Sequence, residues 1–213
     1  MPTLPRFIRP MLARPGQPFD CPDHLFEVKW DGMRALVYVD REGLRIVSRH
    51  GNDLTEQFPE LACLTKLPPG TVLDGELVVL REGFPDLSLL ATRHQVRAPQ
   101  KICLLSRTTP AVLIAFDLLY CDYRSLMPQT LLRRRDRLAA MLQSANAQQV
   151  VFSEGIVGAG QVFYEQVIAR QLEGVMAKRL TSRYLPGRRS DAWLKIKPRS
   201  SAHGSSRRVT RHA

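Results

Sequence analysis

Short apolar runs bounded by turn residues dominate the hydrophobic pattern of this chain. Runs of this length, rich in β-branched and aromatic side chains, are typical of β-strands. The turn-like sequences WDGM and DREG separate the first three runs, which predicts a meander of neighbouring strands. The predicted strands lie at 25–30, 34–40, 44–49, 71–80 and 111–120, with later strands in the sequences VVFSEGI, GVMAKRL and AWLKIKP.

Two other segments have apolar residues at helical spacing. One covers 128–143 and begins with a proline, and the other covers 160–172. Short strands with a few helices between them indicate antiparallel sheets and an α+β fold. The apolar positions are Leu131, Leu132, Leu138 and Leu142 in the first helix and, predicted to face inward, Val162, Phe163, Val167 and Leu172 in the second.

The composition fits a soluble globular protein with an unusual charge. The chain has 213 residues, of which 44% are hydrophobic, enough to bury a core. Its 31 Lys and Arg residues exceed its 20 Asp and Glu residues, a formal net charge of +11. Such an excess favours nucleic acid as a partner, because each neutralised phosphate releases condensed counterions. A basic solvated surface with a basic tail would have the same composition, so charge alone only suggests nucleic acid.

The C-terminal sequence RSSAHGSSRRVTRHA, residues 199–213, has no acidic residue and almost no apolar one. Such a segment cannot bury enough surface to offset its ordering entropy, so it is predicted to be disordered. The folded domain is therefore expected over residues 1–198. Both a nucleic-acid-binding tail and an inert terminus agree with this sequence.

The sequence also bears on the compartment. The N-terminal stretch MPTLPRFIRPMLARP is interrupted by prolines and arginines and has no apolar h-region. The most apolar run, 111–120, is too short to span a bilayer and contains Asp117. The four cysteines form no CxxC pair and have no histidine at zinc spacing, which indicates reduced thiols. A cytoplasmic protein without a membrane partner is expected.

Several charged residues lie at strand ends or alternate with apolar residues along strands. A charge in a buried strand needs a partner, a ligand or a water-filled cleft. In AWLKIKP, the two lysines alternate with Leu194 and Ile196 and project from one face of the strand, roughly 7 Å apart. The sequence LDGE places its glutamate just past an expected Asp-Gly turn. For each segment alone, an exposed strand face is the alternative. The charged residues are Lys29, Arg34, Glu76, Glu173, Lys195 and Lys197.

A glycine-rich phosphate loop is not evident in the sequence. No GxxxxGK[ST] motif occurs, and GIVGAGQ at 155–161 lacks GxGxxG spacing, which favours an ordinary loop before a helix. Side chains, and not a glycine cradle, would therefore have to hold any nucleotide.

Six of these segments, in order, resemble the nucleotidyltransferase motifs of ATP-dependent DNA ligases. They are EVKWDGMR, SRHG, LDGE, AFDLLY, EGVMAK and WLKIKP. The bacterial end-joining ligases are especially similar, because RPMLA, NDLTEQFPEL and YLPGRRSDAWLKIKP also match their flanking text. The resemblance covers about residues 7 to 198. It implies an ATP-grasp-like fold, in which two antiparallel sheets have flanking helices.

The resemblance also implies a site for ATP, with magnesium or manganese as the metal. Lys29 is the implied nucleophile, which attacks the α-phosphate of ATP and becomes lysyl-AMP. A lysine must lose a proton before it attacks, and nearby cations such as Lys195 and Lys197 favour its neutral form. Glu27 is implied to bind the adenine amino group and Phe116 to stack on the base. The implied ribose and phosphate residues are Arg34, Arg49 and Glu76, and the implied metal ligands are Glu76 and Glu173.

DNA is the implied substrate, as a nicked or broken duplex. The expected phosphate contacts are Arg188 and Arg189, the RRRDR cluster at 133–137, and the tail arginines Arg207, Arg208 and Arg211. In the family, an OB-fold domain follows WLKIKP, whereas this sequence ends about 15 residues later. A separate OB-domain or end-joining protein is therefore an expected partner. A non-catalytic nucleotide-binding or DNA-end-binding module and an RNA-directed nucleotidyltransferase are the alternatives.

Overall fold

The computed structural model describes residues 2–145 and 147–198. The predicted disordered tail, 199–213, and its arginines lie outside the described residues. The strands, in chain order, are β1 (Leu12–Pro15), β2 (Cys21–Val28), β3 (Met33–Asp40), β4 (Gly43–Ser48), β5 (Thr71–Arg81), β6 (Phe84–Pro85), β7 (Ala111–Cys121), β8 (Arg124–Ser125), β9 (Val150–Phe152), β10 (Gly155–Gly158), β11 (Val175–Arg179) and β12 (Arg189–Ile196). The helices are α1 (Leu87–Gln95), α2 (Pro99–Thr108), α3 (Leu131–Ala145) and α4 (Gly160–Ala169), with 3-10 turns at Thr55–Gln57 and Pro59–Lys66.

In the described residues, the strands form two sheets, as the α+β prediction requires. The first sheet has the order β1-β12-β11-β2-β10, and the second has the order β4-β3-β5-β7-β8, with β6 beside β5 and β9 beside β7. Neighbours are antiparallel except for the parallel pairs β1–β12 and β7–β9. The predicted architecture of two largely antiparallel sheets with flanking helices is confirmed.

The predicted meander of the first three strands is wrong at its first connection. β2 pairs with β11 and β10, whereas β3 pairs with β4 and β5 in the other sheet. The Asp31–Gly32 pair therefore carries the chain between the sheets and closes no hairpin. A Cβ atom added to Gly32 would lie 2.2 Å from the carbonyl oxygen of Leu77, so only glycine fits this close crossing. The segment after β2 thus lies at the junction of the sheets.

The expected Asp-Gly turn before Glu76 is also wrong. Asp74 and Gly75 lie inside β5, where the register with β7 shifts between them. A Cβ atom on Gly75 would lie 2.8 Å from the carbonyl oxygen of Ile114, so the glycine allows close strand packing. Glu76 consequently projects from the middle of a strand.

Both predicted helices are present, as α3 and α4. Within α4, Val167 is buried, but Val162 is 54% exposed, so its predicted inward position is wrong. The sequence reasoning missed α1 and α2. Helix α1 buries only Leu90 and Arg93, and Asp86 caps its start by accepting a hydrogen bond from the Leu89 N–H at 2.9 Å.

The core is divided by the sheets. One apolar cluster lies between the second sheet and the segments that cover it, including α3. Another cluster lies between the two sheets and combines residues such as Leu36 and Phe116 with Met11 and Trp193 from the opposite side. A third packs α4 against the first sheet. Among the described residues, no helix has the length and apolar character that crossing a membrane requires.

Candidate active site

A cavity of about 260 Å³ opens between the two sheets. The first sheet contributes side chains from β1, β2, β11 and β12, and the second contributes side chains from β3, β5 and β7. The segment Pro10–Ala13 forms a further part of the wall. The predicted site residues that line this cavity are Glu27, Lys29, Arg34, Arg49, Glu76, Phe116, Arg189, Lys195 and Lys197.

Lys29 lines the cavity and pairs with Glu173, which is not itself among the lining residues. Lys29 directly follows β2, and its backbone N–H donates to the Gly174 carbonyl oxygen at 2.8 Å, which aligns it with the start of β11. Its Nζ forms an ion pair with Glu173 Oε2, and Lys197 Nζ lies 2.5 Å from Glu173 Oε1. Burial opposes ionisation of Glu173, but hydrogen bonds from Lys197 and Lys29 prevail and lower its pKa. A carboxylate thus holds two ammonium groups side by side.

Glu76 has the opposite electrostatic character. Burial raises its pKa to about 7, although the charges of Arg34 and Lys29 favour the ionised form. The negative charges of Asp74 and Glu173 add to the rise. The carboxyl group therefore changes its charge near neutral pH, and any cation that binds it would promote ionisation.

Glu76 and Glu173, the two predicted metal ligands, could supply only part of the coordination of a magnesium ion. In residues 2–145 and 147–198, no group of three or more His, Cys, Asp or Glu side chains is arranged to hold a metal ion. Magnesium commonly takes one or two carboxylates together with substrate phosphate oxygens, so Glu76 and Glu173 would supply a plausible protein share. Burial is the main cause of the raised pKa of Glu76 and the charge of Glu173 adds to it, so a divalent cation bound there would favour the ionised form.

Glu27, the predicted adenine residue, lies at a buried part of the cavity. It is 1% exposed, and its Oε1 forms an ion pair with Lys178. Its Oε2 accepts a hydrogen bond from Arg135 Nη1 at 2.9 Å. Burial lowers the pKa of Lys178, and Arg135 adds to the effect, while Glu27 opposes it. Lys178 was not among the predicted site residues, and Arg135 was predicted only as part of the RRRDR cluster expected to contact DNA.

Phe116 lines the cavity between cations. Lys178 Nζ lies 4.0 Å from its ring centroid and Arg34 Cζ lies 4.6 Å away. Trp193 meets the ring edge-on, with centroids 6.3 Å apart. Cations over an aromatic face are attracted by its quadrupole. A base that stacks on Phe116 would therefore share the ring with these cations or displace one of them.

The guanidinium of Arg34 forms an ion pair with the carboxylate of Asp74. Its Nε and Nη2 donate to Asp74 at 2.5 and 2.6 Å, a bidentate pair. The hydroxyl group of Tyr184 also donates to Asp74 at 2.6 Å, and the Met11 N–H donates to the Tyr184 oxygen at 3.0 Å. This network fixes the Pro10–Ala13 wall. It also neutralises Arg34, which sets this arginine apart from Arg49, an exposed cation at the end of β4.

The expectation that the RRRDR cluster contacts DNA is wrong for its central residues. Arg134 is 0% exposed and Arg135 is 6% exposed, so neither is available at the surface. Arg134 donates to both oxygens of Asp117, at 2.7 and 2.8 Å. Only Arg133 and Arg137 of these arginines are exposed. Helical spacing places 134 and 135 on the face of Leu131 and Leu138, so the periodicity already indicated that these two arginines face inward.

The two arginines predicted to bind DNA are exposed beside the cavity. Arg188 lies in the loop before β12, and its N–H donates to the Leu185 carbonyl oxygen at 3.1 Å. Arg189 lines the cavity, and its guanidinium donates to the Ala13 carbonyl oxygen. Their contact with DNA stays a prediction.

Comparison with protein families places a known domain over nearly the whole chain. Residues 10–197 match the family model of the ATP dependent DNA ligase domain. The multifunctional non-homologous end joining DNA repair protein LigD of Mycobacterium tuberculosis (strain H37Rv) is 37% identical over 195 residues, which cover 89% of this chain and 24% of that protein. The SPbeta prophage-derived DNA ligase-like protein LigB of Bacillus subtilis is 30% identical over 192 residues, or 89% of this chain and 67% of that protein.

Solved structures agree with these matches. The ligase domain of M. tuberculosis LigD superposes with a TM-score of 0.74 at 36% identity, over 89% of this chain and 60% of that one. A mycobacterial DNA ligase D complexed with ATP and MES has a TM-score of 0.73 at 35% identity, over 90% and 60% of the two chains. The chain thus spans about a quarter of the length of the LigD relatives and somewhat more than half of the solved ligase domain.

Proposed function

Because this chain belongs to the ATP-dependent DNA ligase domain family, we propose that it carries out covalent adenylation and AMP transfer in the joining of DNA strands. One observation carries the proposal most directly. Lys29 lines a cavity between the sheets, and its amine forms an ion pair with Glu173. Side chains from the motifs that resemble those of DNA ligases surround it. A structural ion pair alone would not require the convergence of Lys195 and Lys197 on the same cavity.

In the first step, the neutral amine of Lys29 attacks the α-phosphorus of ATP. A bond forms between Nζ and phosphorus, the bond to the β-phosphate oxygen breaks, and pyrophosphate leaves. The amine gives up one proton before the attack and another as the phosphoramidate forms. Lys195 and Lys197 stabilise the charge on the phosphates and disfavour a further positive charge on Lys29.

Glu173 positions the nucleophile. It stays ionised because its pKa is lowered, and it fixes Lys29 and Lys197 through separate oxygens. Glu76 and Glu173 would hold a magnesium or manganese ion together with phosphate oxygens, which would neutralise phosphate charge and compete with Lys29 for Glu173. The position of the Lys29 amine is set by its ion pair with Glu173 and by the backbone hydrogen bond of Lys29 to Gly174.

The remaining side chains of the cavity bind the nucleoside. Glu27 accepts a hydrogen bond from the amino group of adenine, and Phe116 offers its ring to the base. Arg49 is the exposed cation suited to the phosphate side, whereas Arg34 acts mainly by holding Asp74 and the Pro10–Ala13 wall.

The AMP then passes to a DNA 5′-phosphate, whose oxygen attacks the phosphorus and breaks its bond to Lys29. Attack by the neighbouring 3′-hydroxyl group forms the phosphodiester and releases AMP. The name of the LigD relative, which refers to end joining and DNA repair, supports a nicked or broken duplex as substrate. Arg188 and Arg189 are the proposed phosphate contacts, and an OB-fold domain, attached or separate, is the proposed partner that closes over DNA.

Incubation with ATP labelled at the α-phosphate, followed by denaturing electrophoresis, tests the first step. The chain should retain label with a divalent metal, and labelled GTP should transfer less. Lys29→Ala should abolish transfer, as should Lys29→Arg, because a guanidinium stays protonated. Lys66→Ala, which changes another lysine in the described residues, is the matched control and should transfer normally.

Joining itself is measured on a nicked duplex with a labelled 5′-phosphate, with and without an added OB-fold domain. Adenylated DNA and sealed DNA should both appear. Label that persists on Lys29→Ala would show that another residue is the nucleophile. A chain that binds ATP but never becomes labelled under either condition would refute the proposal in favour of a nucleotide-binding module.

A further inference from the structure

A single buried arginine joins the two residues to which base recognition is assigned above. Arg135 projects from α3, and its Nη1 donates to Glu27 Oε2 at 2.9 Å and to the Phe116 carbonyl oxygen at 3.2 Å. Its Nη2 donates to the Ser153 carbonyl oxygen at 2.6 Å. The guanidinium thus connects β2, β7 and the segment after β9. It lies behind Glu27 and Phe116, which themselves line the cavity.

The two oxygens of the Glu27 carboxylate have different surroundings. Oε2 is bound to Arg135, whereas Oε1 is paired with Lys178, which lines the cavity. Lys178 also lies over the rings of Phe116 and Trp193, with its Nζ 4.0 and 4.4 Å from their centroids. Oε1 is therefore the oxygen on the side of the cavity residues, and its position depends on the anchor at Oε2.

This arrangement matters for the identity of the base. A carboxylate oxygen only accepts hydrogen bonds, so it suits the 6-amino group of adenine and repels the 6-oxo group of guanine. The ammonium group of Lys178 would suit the oxo group instead. Selection of adenine thus requires that Glu27, and not Lys178, faces position 6 of the purine.

We propose that Arg135 is a positioning residue for nucleotide selectivity, which holds Oε2 of Glu27 so that Oε1 stays available to the 6-amino group of adenine. The inference rests on the proposed function, because it assumes that Glu27 meets the base. Arg135 makes no contact with the nucleotide in this scheme. A lysine in its place would keep the charge but could not span Glu27 and both carbonyl oxygens in a planar fork.

Nucleotide binding tests the proposal as a double-mutant cycle, in which one change is made at Arg135 and the other removes the 6-amino group of the nucleotide. Equilibrium affinities are measured by calorimetry for ATP and for purine riboside 5′-triphosphate, which lacks the 6-amino group. The full chain carries Lys29→Ala to prevent turnover. It should bind ATP about tenfold more tightly than the analogue or better, as expected for a hydrogen bond to a charged group. Adding Arg135→Lys should remove most of this preference and leave affinity for the analogue within about threefold.

Arg134→Lys is the matched control, because Arg134 is the adjacent buried arginine and pairs with Asp117. It should lose stability but keep the preference for ATP. The proposal is overturned if Arg135→Lys keeps the preference or if Arg134→Lys loses it equally. If Arg135→Lys does not fold, Arg135→Gln takes its place and the same two outcomes apply. Equal binding of the two nucleotides by the Lys29→Ala chain overturns the proposal. Failure to bind either nucleotide would instead refute the proposed function.

Discussion

The carboxyl group of Glu76 should make the stability of this protein depend on pH in a direction opposite to that of most carboxylates. Burial raises its pKa from 4.5 to about 7, so the folded chain retains its proton where the unfolded chain has lost it. For a folded pKa above the unfolded value, stability is present below pH 4.5 and is lost as pH rises through 7. A shift of this size corresponds to about 3 kcal/mol, taken as an upper limit.

Replacing Glu76 with Gln removes the titrating group with little change of shape. Relative to the native chain, Glu76→Gln should change the free energy of unfolding little near pH 4 and raise it by up to about 3 kcal/mol at pH 8. Urea unfolding followed by circular dichroism at several pH values measures this difference. Glu42→Gln, at an exposed turn position, is the control.

The same substitution should impair label transfer from ATP if Glu76 serves the metal or the ribose. The stability effect and the activity effect would then have opposite signs at pH 8. A stability difference that is flat between pH 4 and pH 8 would refute the electrostatic reasoning, because it would show that Glu76 ionises freely in the folded chain. Normal label transfer by Glu76→Gln would separately remove its assignment to the nucleotide site.

Other predictions concern the buried and exposed charges. Glu173→Gln should lower label transfer by about 10²-fold or more while changing the melting temperature little, because it removes a positioned charge; equal transfer would remove its role. Asp117→Ala leaves Arg134 buried without its carboxylate, so chemical denaturation should report a loss of about 3–5 kcal/mol, and a loss below about 1 kcal/mol would contradict the pairing. Arg188→Ala should weaken DNA binding equally for all sequences and reduce the salt dependence by about one phosphate contact, as measured by fluorescence anisotropy; an unchanged salt slope would place the contact elsewhere.

Local sequence was sufficient for most strands, and the resemblance of six ordered motifs supplied the candidate nucleophile. The long apolar runs became β5 and β7 because only an extended, doubly covered strand buries such residues continuously. The alternation of Lys195 and Lys197 with apolar neighbours predicted that both lysines share a face, and both line the cavity. Helices α1 and α2 escaped notice, since α1 buries only Leu90 and Arg93 and α2 buries only Ile102.

Tertiary structure decided which strands are neighbours and which charges are buried. Alternation tells which residues share a face but not which strand lies beside them, so β2 and β3 were assigned to one meander although they belong to different sheets. The helical spacing of RRRDR indicated which arginines face inward, but it could not identify their buried partners, because Asp117 and Glu27 lie far away in the sequence.

The sequence by itself therefore determined most of the strands, the motif residues and the overall charge. Only the folded chain determined that Arg34 is neutralised by Asp74, that Glu76 titrates near neutral pH and that Arg135 reaches Glu27. The physical reason is that the charge state and the orientation of a side chain depend on desolvation and on partners brought together from distant segments. The sequence gives the identity of each residue, but the burial and the partners of a site residue are set where the two sheets meet.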